Sequence, residues 1–313
     1  NHILITFYGS FWCILPERLM EIEAYLRSRH NGEEFAAAMQ AAQDRPPFTK
    51  AGDVAVLPIH GTVYPRGGAN PMSGGTTAER ISRSVTAAAN DKDVSSIVLD
   101  IDSPGGAVAG VPEAAAAIRE AAMRKPVHAV ANHMAASAAY WLGSQATTFT
   151  ASPSAMVGSI GVVRRHVDET GAIEKEGLKV TTIATAKHKT EGYSTSPITD
   201  ETAAYMLGEA QKIHGRFVAD VASGRGTTVE NVNANYGQGR VLMADEAKML
   251  GMIDRVATLD QVVAMARKTR KCEIGCGQGL LWPLFRYRAH RLVNRPHGPV
   301  HRVFEPDHLE NEE

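Results

Sequence analysis

The sequence has little of what marks a secreted, membrane-spanning or nucleic-acid-binding protein. Only 3 of its 313 residues are cysteine, which is too few for a disulfide framework and favours a reducing compartment. Its apolar runs are far shorter than the ~20 residues that a membrane-spanning helix needs. The 33 Lys and Arg residues balance 34 Asp and Glu residues, so the chain lacks the charge excess that favours binding to nucleic acid or to an anionic membrane.

The amino-terminal segment also lacks the features of a signal peptide. Residues 1–16 contain an apolar stretch, but no basic region precedes it, and Pro16-Glu17-Arg18 stands where small residues would be expected at a cleavage site. With 44% hydrophobic and 21% charged residues, the composition is typical of a globular protein. We therefore expect a cytoplasmic protein without a membrane span.

The chain divides into three segments of different pattern. Residues 1–50 predict a helical extension, with a helix from Glu17 to about Ala42 and a polar linker over residues 43–47. Residues 51–267 carry the alternating pattern of a folded domain. Residues 268–313 are first basic and proline-containing and then acidic, which predicts a poorly ordered tail. Cys272 and Cys276 in this tail lack zinc-site spacing and a second ligand pair, so no metal is expected.

Residues 51–267 predict an α/β domain. Apolar runs alternate with segments of helical periodicity, and this alternation implies parallel pairing with right-handed crossovers. The expected strands are residues 54–59, 97–101, 127–131 and 180–184, with a strand-like segment at 252–254. The expected helices are residues 76–89, 111–123, 136–142, 199–223, 244–250 and 259–266.

A glycine-containing loop, Asp102-Ser103-Pro104-Gly105-Gly106, follows the second of these strands. Consecutive glycines can turn sharply and point bare backbone N–H groups into a cleft, where they would hold a phosphate or the oxyanion of a tetrahedral intermediate. Taken alone, the same residues also fit an ordinary tight turn.

A serine, Ser137, stands at the expected start of a helix with two alanines on each side. Small neighbours let a substrate come close, and a helix N-terminus stabilises negative charge. The pattern differs from the Gly-x-Ser-x-Gly elbow of the α/β hydrolases. In isolation, such a serine also fits a packing or capping role.

A serine nucleophile needs a base, and the sequence offers two kinds. His166 with Asp168 would complete a triad, whereas Lys187 and Lys189 would supply an amine. An amine accepts a proton only when it is neutral, which requires desolvation or nearby positive charge. Serine–lysine pairs are a known variant of the triad. Lysines in a loop rich in Gly, Ser and Thr can also be interpreted as ordinary solvated side chains without a catalytic role.

Taken in order along the chain, these motifs resemble the signal peptide peptidase A (protease IV) family of Ser-Lys proteases. The resemblance covers about residues 53–267. Within this family, residues 14–19 and the lack of a membrane anchor are more similar to the phage prohead-protease branch than to the other members. That branch processes scaffold and capsid proteins. The segments that carry the resemblance are residues 97–106, 135–140, 157–162, 187–189 and 239–254.

The resemblance implies a ClpP/crotonase-like α/β fold, a superhelix of stacked ββα units, and a serine endopeptidase without metal or organic cofactor. It makes Ser137 the nucleophile and Lys189 the general base, with Lys187 as the second choice. Ser159 would orient the lysine amine. The backbone N–H groups implied to hold the oxyanion are those of Gly105 or Gly106 together with Ala138. The family commonly has glycines where this chain has Ala138 and Ala139, and the two methyl groups would narrow the cleft.

Three alternatives remain open from the sequence. The first keeps the fold and the peptidase activity but uses Ser137, His166 and Asp168 as a ClpP-like triad. The second is a crotonase-type acyl-CoA enzyme whose Gly-Gly loop polarises a thioester. The third is a catalytically silent assembly protein. A covalent probe directed at serine separates the two peptidases from the other two classes.

The loop around Lys189 leads to a prediction about assembly. Because it is rich in Gly, Ser and Thr, it is poorly suited to bury an amine by itself, although the mechanism requires a desolvated amine. A neighbouring subunit would supply the cover, and heterologous contacts close into rings. Members of the resembling family assemble so that serine and lysine meet across a boundary. We therefore expect a homo-oligomeric ring with shared active sites, a polypeptide substrate and no nucleic-acid partner.

Overall fold

A computed structural model of the chain describes residues 7–28, 46–66 and 75–275. The predicted helix beyond residue 28, most of the predicted linker and the predicted tail beyond residue 275 lie outside the described residues. No helix in the described ranges is long and apolar enough to cross a lipid bilayer.

Strands and helices alternate along most of the described chain. The strands are β1 (Trp12–Ile14), β2 (Thr49–Ala51), β3 (Val54–His60), β4 (Val63–Tyr64), β5 (Thr76–Thr77), β6 (Ser96–Ser103), β7 (Gly105–Ala107), β8 (Val127–Ala136), β9 (Thr148–Ala151), β10 (Met156–Gly158), β11 (Val241–Met243) and β12 (Arg255–Val256). The helices are α1 (Pro16–Ser28), α2 (Ala78–Asn90), α3 (Val111–Arg124), α4 (Ala138–Gly143), α5 (Thr170–Lys175), α6 (Asp200–Arg225), α7 (Val229–Asn235), α8 (Ala244–Met249) and α9 (Leu259–Gly275).

The larger sheet has the strand order β11-β10-β8-β6-β3-β2, with β9 beside β8 and β12 beside β9. Its inner strands β3, β6, β8 and β10 are parallel. Strand β8 pairs with β9 along His128–Ala131 and with β10 along Met134–Ala136. The carboxyl end of β8 lies between β10 and β6, whose Ser103 is opposite Ala135, and Ser137 follows directly.

A smaller sheet has the order β1-β7-β4-β5. Strand β3 is followed by β4 and β5 of this second sheet and then by α2, whereas β6 is followed by β7 and then by α3. In both units a strand of the larger sheet leads to the smaller sheet and then to a helix. This arrangement confirms the predicted α/β class with stacked ββα units.

Both faces of the larger sheet are covered, as its continuous apolar runs predicted. On one face, Val262 and Ala266 of α9 pack against Val54, Val98 and Val130 of the sheet. The other face packs against α2, α3 and α4 in the main core. The long strands were recognisable in the sequence because burial on both faces makes parts of them continuously apolar, as at residues 54–57 and 97–99.

Helix α4, which follows Ser137, is fixed inside the core. Every residue of α4 is buried. The Trp141 ring stacks on the Phe217 ring of α6 with their centroids 4.5 Å apart, and the Tyr140 hydroxyl donates a hydrogen bond to the Met252 carbonyl at 2.9 Å. The start of α4 is therefore held rigidly.

The predicted strand at residues 180–184 is wrong. These residues form neither a strand nor a helix, and all of them are exposed. Ile183 is 94% exposed. The β-branched residues that suggested a strand have no sheet to join within the described chain.

Other boundaries differ by a few residues. The strand-like segment predicted at 252–254 is displaced to β12 at Arg255–Val256. Helix α9 was expected to end near Ala266, but its backbone continues to Gly275, into the segment predicted to be poorly ordered. Strand β1 and its pairing with β7 were not predicted.

A buried ion pair joins α6 to the segment before β12. The Arg225 side chain is 2% exposed, and it donates hydrogen bonds to both carboxylate oxygens of Asp254, at 2.8 and 3.1 Å. The Phe149 N–H donates to the same carboxylate at 2.7 Å. The pair thus ties α6 to β9.

Replacing Asp254 with alanine is expected to destabilise the fold by about 3–5 kcal/mol, because it leaves the Arg225 charge buried and uncompensated. Chemical denaturation gives the free energy of unfolding. The control is Glu120→Ala, which removes an exposed partner of Arg124 and should cost only about 0.3–0.5 kcal/mol. Equal losses in the two variants would contradict this account of the pair.

Candidate active site

Ser137 occupies a strained turn between β8 and α4. Its backbone angles are φ 54° and ψ −117°, a region that residues other than glycine rarely adopt. The Ser137 N–H donates a hydrogen bond to the Gly158 carbonyl at 2.7 Å, which holds the turn against the end of β10. A strained residue at a strand-to-helix turn is a common feature of active sites.

The Ser137 hydroxyl has no hydrogen-bond partner in the described chain. The residue is 1% exposed, and its Oγ is buried. Burying a hydroxyl without a partner carries a free-energy cost that most proteins avoid. A nucleophile whose partner comes from another molecule would account for this cost.

The Gly105 loop lies directly against Ser137. Gly105 has φ +100°, and a Cβ at this position would lie 3.0 Å from the Ser137 Cβ and 2.2 Å from the Cys13 carbonyl oxygen. Only glycine fits there. The Gly105 N–H donates to the Ser103 hydroxyl at 3.2 Å.

The other predicted oxyanion donors lie close by. The Ala138 N–H is at the first position of α4 and has no acceptor among the described residues, as is usual for the first turn of a helix. Gly106 lies between Cys13 of β1 and Val63 of β4. A Cβ at Gly106 would lie 1.9 Å from the Val63 carbonyl oxygen, so this position also requires glycine.

Ser159 lies close to Ser137 in the fold. It is buried, has φ 53° and follows Gly158, whose carbonyl accepts the Ser137 N–H. The Ser159 N–H donates to the Arg240 carbonyl at 2.7 Å. Strand β10 therefore positions both residues, although Ser159 lies just after the strand and not within it.

Neither candidate lysine forms a hydrogen bond with the Ser137 hydroxyl. Lys189 is exposed, and the described residues give it no ion pair. Lys187 forms an ion pair with Glu201 at 2.8 Å, and the hydrogen bond to Glu201 raises the pKa of Lys187. Within one chain, the predicted pair of Ser137 and a lysine is therefore not assembled.

The alternative triad is likewise unassembled in the described chain. The Asp168 carboxylate accepts hydrogen bonds from the Thr170 hydroxyl at 2.6 Å and from the Thr170 N–H at 2.9 Å, and these bonds lower the pKa of Asp168. His166 Nε2 lies 3.4 Å from the Tyr193 carbonyl oxygen. Neither side chain bonds to Ser137.

Residues 164–207, which we call the arm, carry both lysines and contribute little to the core. Between residues 161 and 201 no side chain is buried. Several large apolar side chains are exposed instead, and burying them against another surface would be favourable. These side chains are Leu178, Val180, Ile183, Tyr193, Ile198, Tyr205 and Leu207.

Sequence reasoning missed Cys13, which lies beside the nucleophile. The thiol is fully buried, and burial raises its pKa to about 12, against a smaller lowering by the Ser137 hydroxyl. The Ser137 hydroxyl is thus close enough to the Cys13 thiol to lower its pKa, although the distance and angle between them do not make a hydrogen bond. The one available signal was the apolar run at residues 11–15, which carries no catalytic motif.

Comparison with known proteins identifies related chains. Residues 119–273 match peptidase family S49. The chain is 34% identical over 224 residues to "Capsid assembly protease C" of Escherichia phage lambda, covering 69% of this chain and 51% of that protein. It is 30% identical over 258 residues to "Head-tail preconnector protein GP5" of Enterobacteria phage P21, covering 82% and 50%. It is 32% identical over 237 residues to "Protease 4" of Salmonella typhi, covering 72% and 36%.

The chain thus spans about half the length of the two phage proteins. The family match begins within α3, after the Gly105 loop, and it includes Ser137 and both candidate lysines. These findings agree with the resemblance drawn from the sequence motifs, including its phage branch.

Proposed function

Because residues 119–273 match peptidase family S49 and the chain is similar to proteases over most of its length, we propose that it belongs to this family and is a serine endopeptidase in which Ser137 is the nucleophile and Lys189 the general base. The observation that carries the proposal is the buried Ser137 hydroxyl, which lacks a partner and lies at a strained turn against Gly105. Neither an acyl-CoA enzyme nor a silent assembly protein needs such a hydroxyl.

The proposed reaction is acyl transfer. The neutral Lys189 amine takes the Ser137 proton while Oγ attacks the peptide carbonyl carbon. The N–H groups of Ala138 and the Gly105 loop hold the resulting oxyanion. The protonated lysine then gives its proton to the leaving amine as the C–N bond breaks. Water repeats the cycle on the acyl-enzyme and regenerates Ser137.

The lysine in this proposal comes from a neighbouring subunit. Lys189 is exposed on the arm, the arm presents unburied apolar side chains, and Ser137 Oγ has no partner within the described chain. Packing the arm of one subunit over Ser137 of the next would cover the apolar side chains and remove water from the amine, which favours its neutral form. Repetition of this heterologous contact would give a ring.

We propose a polypeptide substrate. The name of the lambda relative favours a scaffold or capsid protein, processed in the host cytoplasm or within the prohead, over degradation of signal peptides. The floor under Ser137 is lined by alanines, and Ala138 and Ala139 are fully buried. We therefore expect the substrate residue next to the scissile bond to have a small side chain.

Reaction with a fluorophosphonate tests the function. After long incubation, mass spectrometry of a digest should show the adduct on the peptide that contains Ser137, and the labelling rate should rise with pH as the base loses its proton. Lys187→Ala is the matched control for the base and should be labelled like the natural chain. Absence of labelling, or an adduct on another serine, contradicts the proposal.

A further inference from the structure

Strand β1 is hydrogen-bonded along both of its edges. On one side, the Trp12 N–H donates to the Val163 carbonyl and the Val163 N–H to the Trp12 carbonyl, both at 2.9 Å. On the other side, the Leu15 N–H donates to the Pro104 carbonyl at 3.0 Å and the Val108 N–H to the Phe11 carbonyl at 3.1 Å. Residues 11–15 therefore lie as an extended peptide in a groove between β7 and Val163.

This peptide passes over the candidate nucleophile. Cys13 is opposite Gly106 in the antiparallel register. The pairs on either side, Phe11 with Val108 and Leu15 with Pro104, are hydrogen-bonded, so Cys13 and Gly106 form a pair of the same class. The Gly106 N–H, a predicted oxyanion donor, thus faces the Cys13 carbonyl.

Side chains of β1 alternate between two environments. Trp12 and Ile14 pack in a small cluster with Leu19 and Tyr64, whereas Cys13 points the other way into the main core. The Cys13 carbonyl oxygen and the Ser137 Cβ lie against the same side of Gly105. With β1 in this place, Ser137 is almost inaccessible.

We propose that β1 fills the groove in which a polypeptide substrate lies, and that it keeps the site closed until it is displaced. The inference rests on the proposed function. An extended substrate would take over the backbone bonds of β1 to residues 104, 106, 108 and 163, which is recognition by strand addition. Because the three-residue strand β1 belongs to the smaller sheet, its release would break no hydrogen bond of the larger sheet.

The position of β1 can be tested without any activity. Ser137→Cys is made in a chain that also carries Cys272→Ser and Cys276→Ser, so that Cys13 is the sole native thiol. Mild oxidation should then join Cys13 to the introduced thiol, as mass spectrometry of the unreduced digest would show. Ser96→Cys in the same background is the control and should form no disulfide. Failure of the first variant to cross-link overturns the placement of β1 and leaves the proposed function standing.

The closing role of β1 is tested by Cys13→Asp in the full chain. A carboxylate placed in this buried site costs enough free energy to favour release of β1. The fluorophosphonate should then label Ser137 about tenfold faster than in the natural chain, since a larger fraction of molecules is open. Cys13→Ala, which keeps the strand apolar, should remain near the natural rate. Equal rates in all three proteins overturn the inference, whereas absence of labelling in all of them refutes the proposed function instead.

A second measurement covers the case in which Cys13→Asp does not fold. In the Cys272→Ser/Cys276→Ser chain, iodoacetamide should alkylate Cys13 slowly, because the thiol is buried and its pKa is raised to about 12. An excess of unfolded casein, as a polypeptide probe, should speed this alkylation several-fold by displacing β1. An unchanged rate contradicts the inference.

Discussion

Replacing Ser137 with alanine is expected to abolish peptidase activity, with a loss of about a million-fold in kcat. The variant lacks the oxygen that attacks the carbonyl, so only binding and the oxyanion donors remain. Stability should be preserved, because the Ser137 hydroxyl has no hydrogen bond to lose. Peptide hydrolysis and thermal unfolding, measured on the same preparation, check both parts.

Ser96 provides a matched control. Its hydroxyl is also buried without a partner, but it lies at the start of β6, about 20 Å along the strand from the Gly105 loop. Ser96→Ala makes the same chemical change and should keep full activity. Peptidase activity that survives in Ser137→Ala would remove Ser137 from the mechanism.

Replacing Lys189 with arginine is expected to cost at least about 10³-fold in kcat/KM. The charge is kept, but a guanidinium stays protonated and cannot accept the serine proton. Lys187→Arg is the control, since Lys187 is engaged with Glu201, and it should stay active. His166→Ala should also stay active. Loss of activity in His166→Ala together with an active Lys189→Arg would favour the alternative triad.

Much of the candidate site around Ser137 was predictable because its signals are local. The Gly105 loop and the Ser137 turn each lie within a few residues of the end of a buried strand, and the backbone geometry there requires the small residues that the sequence shows. The long strands β3, β6 and β8 were predictable for a related reason, since burial on both faces makes their apolar runs continuous.

The remaining features depend on contacts that the sequence does not display. Strand β1 has three residues, which is too short for a periodic signal, and its partner β7 lies far along the chain. Residues 180–184 have the composition of a strand but lie exposed on the arm. In both cases the deciding factor is which surface covers the segment. For the arm, our proposal places that surface on another subunit.

The central claim is that Ser137 and Lys189 act across a subunit boundary, and complementation tests it most directly. Ser137→Ala and Lys189→Ala proteins, each inactive alone, are mixed under conditions that let subunits exchange. Random exchange around a ring pairs an intact serine with an intact lysine at about one interface in four, so about a quarter of the natural activity should return. The control mixes Ser137→Ala with the double variant, which has no intact serine and should stay inactive. Confirmed exchange without recovered activity would place each site within one chain and contradict the account.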